Sequence, residues 1–186
     1  MKVYKTELPG LLIIEPDTFP DARGYFFESF NSRAFQDSEI SYFPVQDNES
    51  SSSRGVIRGL HYQEEPFAQA KLIRVIQGEI YDVALDLRKG SPTFERWYGL
   101  KIDSEAKNQF FIPKGFAHGF SVLSAKAIVL YKCDNYYSVA HERGINVKDT
   151  TLNIDWMIEE GKEIISPKDL KQPLLRDITT NFIFRG

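Results

Sequence analysis

Cysteine is almost missing from this chain: Cys133 is the only one in 186 residues. An intramolecular disulfide is therefore impossible, and a cysteine-based zinc cluster is excluded. A large excess of charge of one sign is also missing, with 23 Lys and Arg against 26 Asp and Glu. With a net charge of −3 there is no basic field to hold a nucleic-acid backbone or an anionic membrane, so any phosphate recognition must be local. No apolar run approaches membrane-spanning length. Met1 to Ile14 is interrupted by Lys5, Glu7, Pro9 and Gly10 and lacks the hydrophobic stretch of a signal peptide. These absences predict a soluble, cytoplasmic protein with no nucleic-acid or membrane partner. Long amphipathic helices, internal repeats and domain-dividing linkers are absent too, so residues 1–186 are expected to form one domain.

What is present is aromatic and strand-like. Aromatic residues make up 13% of the chain, with 14 Phe and 9 Tyr, which favours strands and pockets that stack on planar ligands. Strands are predicted over Leu11 to Ile14 and Tyr25 to Phe30, separated by turn-rich segments at Asp17 to Pro20 and Asp21 to Gly24. Asn31 can cap a short helix over Arg33 to Asp37. The serine run Ser50 to Ser53 is the one low-complexity patch and is expected to be a loop beside a ligand. Beyond it, Leu72 to Gln77 and Ile80 to Leu87 are predicted to form a hairpin about Gly78-Glu79. Further strands follow at Phe94 to Ile102, Gln109 to Ile112, Phe116 to Leu123 and Ala127 to Cys133. Short helical turns and irregular segments packed on the barrel are expected over Ile154 to Ile158 and Ser166 to Asp177. Many short strands with regular turn punctuation predict an all-β sandwich or barrel.

One stretch concentrates chemistry: Ser53-Arg54-Gly55-Val56-Ile57-Arg58-Gly59-Leu60-His61-Tyr62-Gln63, followed by Lys71. Val56, Ile57 and Leu60 have strand character, and Gly55 and Gly59 let the backbone bend or approach a ligand closely. Arg58 supplies a fork suited to phosphate, and His61 supplies the side chain most readily poised to move a proton near neutral pH. Together they suggest chemistry on a phosphorylated small molecule.

Of the three histidines, His141 lies in a polar loop and is expected to be solvated. His118 ends Pro113-Lys114-Gly115-Phe116-Ala117-His118, which resembles the second half of the cupin signature and supports a double-stranded β-helix, the jelly-roll barrel. The first half is missing, since Gln63 stands where a His-x-His pair with His61 would need its second histidine. Two lone histidines do not make a metal site, so no metal is expected. An imidazole, with an ordinary pKa of about 6.5, suits proton abstraction from a carbon made acidic by a neighbouring ketone. The enolate so formed needs a cation or donor, for which Lys71 is a candidate. Reprotonation on the opposite face needs an acid. Tyr131 is one candidate among nine tyrosines, with a core or rim position as its other reading. Asp169 is a candidate carboxylate to fix the tautomer of His61.

The residues then match a family. Gln46-Asp47-Asn48, Gly55 to Gln63, Lys71-Leu72, Gly78-Glu79, Asp82 to Arg88, Ser91 to Phe94, Ile112 to Phe120 and Leu130-Tyr131-Lys132 together resemble the thymidine-diphosphate-sugar (dTDP-sugar) 3,5-epimerases of the rhamnose pathway. The resemblance runs from about Arg23 to Asp169. It implies an all-β, cupin-like jelly-roll with short peripheral helices, active as a homodimer without a cofactor. It implies that His61 removes the protons at C3 and C5, that Asp169 pairs with His61, that Lys71 stabilises the enolate and that Tyr131 returns a proton. It further implies that Arg23, Glu28, Gln46, Asn48, Arg58, Lys71, His118, Glu142 and Lys168 contact the nucleotide sugar. Two arginines suit a diphosphate, and Phe19 and Phe26 suit stacking on the base or sugar. Val147 and Phe111 stand where the family commonly has tryptophan, which implies altered packing with the acid–base groups kept.

The leading expectation is inversion of both C3 and C5 of dTDP-4-dehydro-6-deoxy-D-glucose, giving dTDP-4-dehydro-L-rhamnose. A relative that inverts one carbon only would share His61 and Lys71. A non-catalytic cupin that binds a nucleotide sugar would keep Arg23 and Arg58 but has no need of His61, Lys71, Tyr131 and Asp169 together. A metal-dependent cupin ranks last.

Overall fold

The computed structural model describes residues 1–185. In chain order its strands are β1 (Lys2–Lys5), β2 (Leu12–Glu15), β3 (Thr18–Asp21), β4 (Gly24–Phe27), β5 (Gln46–Ser53), β6 (Val56–Gln63), β7 (Lys71–Gln77) and β8 (Glu79–Asp86). After these come β9 (Trp97–Asp103), β10 (Gln109–Ile112), β11 (Phe116–Val122), β12 (Lys126–Cys133), β13 (Glu142–Gly144) and β14 (Ile164–Ile165). Helix α1 (Ser32–Asp37) is capped by Asn31, whose side chain accepts from the Arg33 and Ala34 amides. Helix α2 (Pro167–Leu170) is capped by Ser166. No helix among the described residues is long and apolar enough to cross a membrane.

Two six-stranded layers face each other. One has the order β1-β2-β10-β7-β12-β5; the other runs β13-β6-β11-β8-β9, with β14 parallel to β6. Between them lies an apolar core that includes Ile73, Val75, Phe110, Phe120 and Val129. The outer face of the second layer is covered by the C-terminal segment, where Trp156 and Phe182 pack on Leu60, Tyr62 and Leu85. This is the cupin-like jelly-roll. The two tryptophan-replacing residues are both core: Val147 is buried in the second cluster, and Phe111 packs edge-on against Tyr42.

Three expectations are corrected. The strands on either side of Gly78 are not hairpin partners: β7 pairs with β10 and β12, whereas β8 pairs with β9 and β11. Gly78 takes the chain from one layer to the other, at φ +84° and so close to Lys126 O that a Cβ would sit 2.2 Å from it. The serine run is not a loop but the end of β5, paired along its length with β12. Asp17 to Pro20 is not a turn, because Thr18 to Pro20 form most of β3, paired with β4 in an exposed hairpin. Ile154 to Ile158 is one of the irregular segments expected on the barrel, and is held where the Trp156 indole N–H donates to Val147 O at 2.9 Å.

Candidate active site

β5 shows why a polar strand was hard to see. Its burial alternates, with Gln46, Asn48, Ser50 and Ser52 turned inward. The inward face lines a polar cleft instead of an apolar core, so the period of two carries no hydrophobic signal.

β6 carries the opposite wall. Arg58 and His61 are three residues apart, and in a regular strand they would point to opposite faces. The pairing of β6 with β11 slips between His118↔His61 and Phe120↔Arg58, so three steps on β6 answer two on β11. The extra residue is a β-bulge, and it turns both side chains into the same cleft. Gly59 makes the bulge possible: it has φ +129°, and a Cβ there would sit 2.5 Å from Gly119 Cα.

The cleft has two lobes that share His61, Lys71 and Tyr131. The larger, about 660 Å³, is walled by Ser50, Arg58, His118 and the segment Ile164 to Asp169. The smaller, about 350 Å³, is walled by Gln46, Asn48, Gln63, Tyr137 and Glu142. At their junction His61 Nε2 lies 2.6 Å from Asp169 Oδ1. Asp169 is buried, and its own amide donates to the Ser166 hydroxyl at 3.0 Å, which fixes its position at the first turn of α2. Burial pushes the Asp169 carboxyl up, but the hydrogen bond and charge of His61, with help from Ser166 and the Gly59 amide, outweigh it and hold the carboxyl below the usual range.

Lys71 starts β7 and lies across from Cys133 of β12. Burial draws its ammonium down, while the charges of Cys133, Asp82 and Glu142 oppose this. Tyr131 is half-buried; burial and the neighbouring Cys133 raise its phenol, so it stays protonated at neutral pH. Arg58 is held from behind, donating from Nε to Ser52 Oγ at 3.0 Å. Gln46 donates to Asn48 Oδ1 at 3.1 Å and accepts from the Tyr137 amide at 3.0 Å. Glu142 Oε2 accepts from Tyr137 OH at 2.8 Å and from Lys168 Nζ at 2.6 Å, a bridge that joins the rims of the two lobes. Burial raises the Glu142 carboxyl, and the Lys168 and Tyr137 hydrogen bonds more than reverse it.

Two residues expected at the site are not brought to it. Arg23 and Glu28 sit at the exposed β3–β4 hairpin and just beyond it, where Arg23 pairs with Asp21 at 2.5 Å and Glu28 accepts from Asn31 at 3.2 Å. His141 is also not simply solvated: it stacks on Phe67 at 4.5 Å and bonds Ser138 at 2.8 Å. Gln63 is fully committed to the loop around it, donating to Phe67 O at 2.7 Å and accepting from the Ser138 amide at 2.6 Å. Among the described residues no three His, Cys, Asp or Glu side chains cluster as a metal site. Ser50 and Ser52 stand beside the cleft as expected, though on a strand and not a loop; the residues that sequence reasoning missed are Tyr137 and, behind His118, Asp82. Asp82 did leave a signal, as the one charge inside the apolar run Ile80 to Leu85.

A jelly-roll whose cleft holds a carboxylate-oriented imidazole, a half-buried lysine and a protonated phenol is built for acid–base chemistry on a small molecule. The chain belongs to the dTDP-4-dehydrorhamnose 3,5-epimerase family, whose model matches residues 5–177. It is 50% identical to dTDP-4-dehydrorhamnose 3,5-epimerase of Shigella flexneri, covering 91% of this chain and 93% of the relative. The Methanothermobacter thermautotrophicus enzyme of the same name is also 50% identical, with 95% of each chain covered. Among solved structures, the dTDP-6-deoxy-D-glucose-3,5-epimerase of Legionella pneumophila in complex with dTDP-4-keto-L-rhamnose superposes with a TM-score of 0.94 at 44% identity, covering 100% of this chain and 99% of that one.

Proposed function

We propose that this protein inverts C3 and C5 of dTDP-4-dehydro-6-deoxy-D-glucose to give dTDP-4-dehydro-L-rhamnose, without a cofactor. The observation that carries the reading is the His61–Asp169 pair set in one cleft with Lys71 and Tyr131. With Asp169 ionised, the imidazole proton stays on Nε2 and Nδ1 is the base. His61 Nδ1 takes the proton from the carbon beside the C4 ketone, and the electron pair moves onto the C4 oxygen. Lys71 meets the charge that develops there. Tyr131 then gives a proton to the opposite face of that carbon, and the pair of transfers repeats at the second carbon. Solvent restores the protons of His61 and Tyr131 between turns. Arg58 anchors the diphosphate as a bidentate donor, while Gln46, Asn48, His118, Glu142 and Lys168 hold the nucleotide sugar along the cleft.

The same reading makes the protein a cytoplasmic, single-domain homodimer. Arg23 and Glu28, which lie outside their own cleft, then contact substrate from the partner's side. The exposed aromatics of that hairpin, Phe19, Tyr25 and Phe26 at 60%, 59% and 68% exposure, are suited to burial against a second chain.

Proton NMR of dTDP-4-dehydro-6-deoxy-D-glucose with the protein in deuterated buffer tests the proposal. Deuterium entering at both C3 and C5, with a rhamnose-configured product after reduction, is expected. Label at one carbon only would reassign the protein to single-site inversion, and no exchange with bound substrate would make it a binding protein.

A further inference from the structure

Asp82 is a carboxylate where the fold asks for a hydrocarbon. It sits mid-way along β8, opposite Leu100 on one side and Phe120 on the other, with no exposure to solvent. Its same-face neighbours on β8, Ile80 and Ala84, belong to the inter-layer core. A carboxylate there destabilises the barrel relative to an apolar residue of similar size, so a functional reason is needed. Among the described residues, two cleft groups answer it. His118 Nε2 is 2.9 Å from Oδ1 and 3.0 Å from Oδ2, but only the Oδ2 contact is aligned as a hydrogen bond. Oδ1 has no hydrogen-bond partner among the described residues. The second group is Lys71, whose charge and that of Asp82 act on each other. Both His118 and Lys71 line the larger lobe.

We propose that Asp82 is a positioning residue for the reaction: its buried carboxylate pins His118 by Nε2–H and is the fixed counter-charge of Lys71, so that both groups face the developing oxyanion in one protonation state. Asp82 touches no substrate and acts only through these two. The inference rests on the epimerase reading for its kinetic consequence, but the His118 geometry stands without it. Burial raises the Asp82 carboxyl, against the opposing pull of His118 and Lys71. The charged or titratable groups that bear on Lys71 are Cys133, Asp82 and Glu142; of these Cys133 and Asp82 are fully buried, and Asp82 is the carboxylate of the two.

The test uses the full chain. Asp82→Asn keeps the shape and removes the charge. Turnover is expected to fall roughly 10–100-fold, the scale seen when an orienting partner one step from the reacting group is lost, with KM within a few-fold of wild type. Without its counter-charge Lys71 holds its proton less tightly, so the basic limb of the kcat–pH profile should move to lower pH. Asp82→Leu should fold at least as well and show the same two changes, which separates positioning from stability. A merely structural Asp82 would leave kcat per folded molecule and the basic limb unchanged in both variants, and that result overturns the proposal. Nitrogen NMR of histidine-labelled wild-type protein gives an independent reading. His118 should carry its proton on Nε2 throughout the neutral range, and an unprotonated Nε2 would overturn the proposal whether or not the protein epimerises. Failure of the epimerase reading itself would instead appear as absent deuterium exchange in wild type, with the His118 tautomer unaffected.

Discussion

His61 and Asp169 are 108 residues apart in the chain and 2.6 Å apart at their polar atoms. Strand β6 presents the imidazole, and the first turn of α2 presents the carboxylate, held by the Ser166 cap. β14 runs parallel to β6 immediately before α2, pairing Ile164 with Val56 and Ile165 with Ile57, and so delivers the helix to the cleft. The acid–base pair is therefore a product of sheet pairing.

His61→Ala removes the proposed base and leaves Arg58 with its Ser52 support. Deuterium exchange at C3 and C5 should fall by roughly 10²–10⁴-fold, the usual worth of a positioned proton-transfer group. Binding of dTDP, measured by calorimetry, should be retained. Exchange persisting near the wild-type rate would take His61 out of the base role.

Tyr131→Phe removes a phenol that burial keeps protonated and leaves His61, the proposed base, in place. Proton removal, followed as deuterium exchange, should survive better than product formation, followed by reduction to the rhamnose-configured sugar. Epimerisation at the wild-type rate would make Tyr131 a wall of the pocket.

The depressed Asp169 carboxyl has a consequence for stability. A carboxyl whose folded pKa is lowered contributes stability that is present above its unfolded value, about 3.9 for aspartate, and that is lost as pH falls through the folded value. Asp169→Asn should therefore show a shallower loss of stability below about pH 4 than wild type does. Urea midpoints across the acid range check this, and parallel curves would contradict it.

Gly59→Ala tests the bulge. A methyl group at that position meets Gly119 Cα at 2.5 Å and His118 O at 2.9 Å, in a backbone conformation with φ +129°. A loss of more than about 2 kcal/mol is expected from strain and displaced pairing, together with a fall in activity as Arg58 and His61 separate. A urea midpoint equal to that of wild type would show that the strands tolerate the extra atom.

Much of this protein was legible in one dimension. Short apolar segments with turn punctuation carried the all-β class, because strand packing between two layers requires hydrophobic residues at those places. The chemistry-bearing residue types were legible as well, since Arg58, His61, Lys71 and Tyr131 sit on segments whose strand character is plain. Other features were decided only by tertiary structure. Strand β5 has no hydrophobic period because its inner face meets a cleft, so Ser50 and Ser52 looked like loop. Gly78 could be seen as a turn, but whether it joins partners or crosses between layers depends on which strands pair. The bulge at Gly59 sets Arg58 and His61 on one face, and only the register against β11 reveals it. Arg23 and Glu28 matched a binding pattern yet lie outside the cleft of their own chain, because the hairpin that carries them leaves both layers. Sequence alone determined which side chains were available for acid–base chemistry, since that depends on residue type. Their distances, their facing and their charge states were set by strand pairing and burial, which bring residues a hundred positions apart into one cleft.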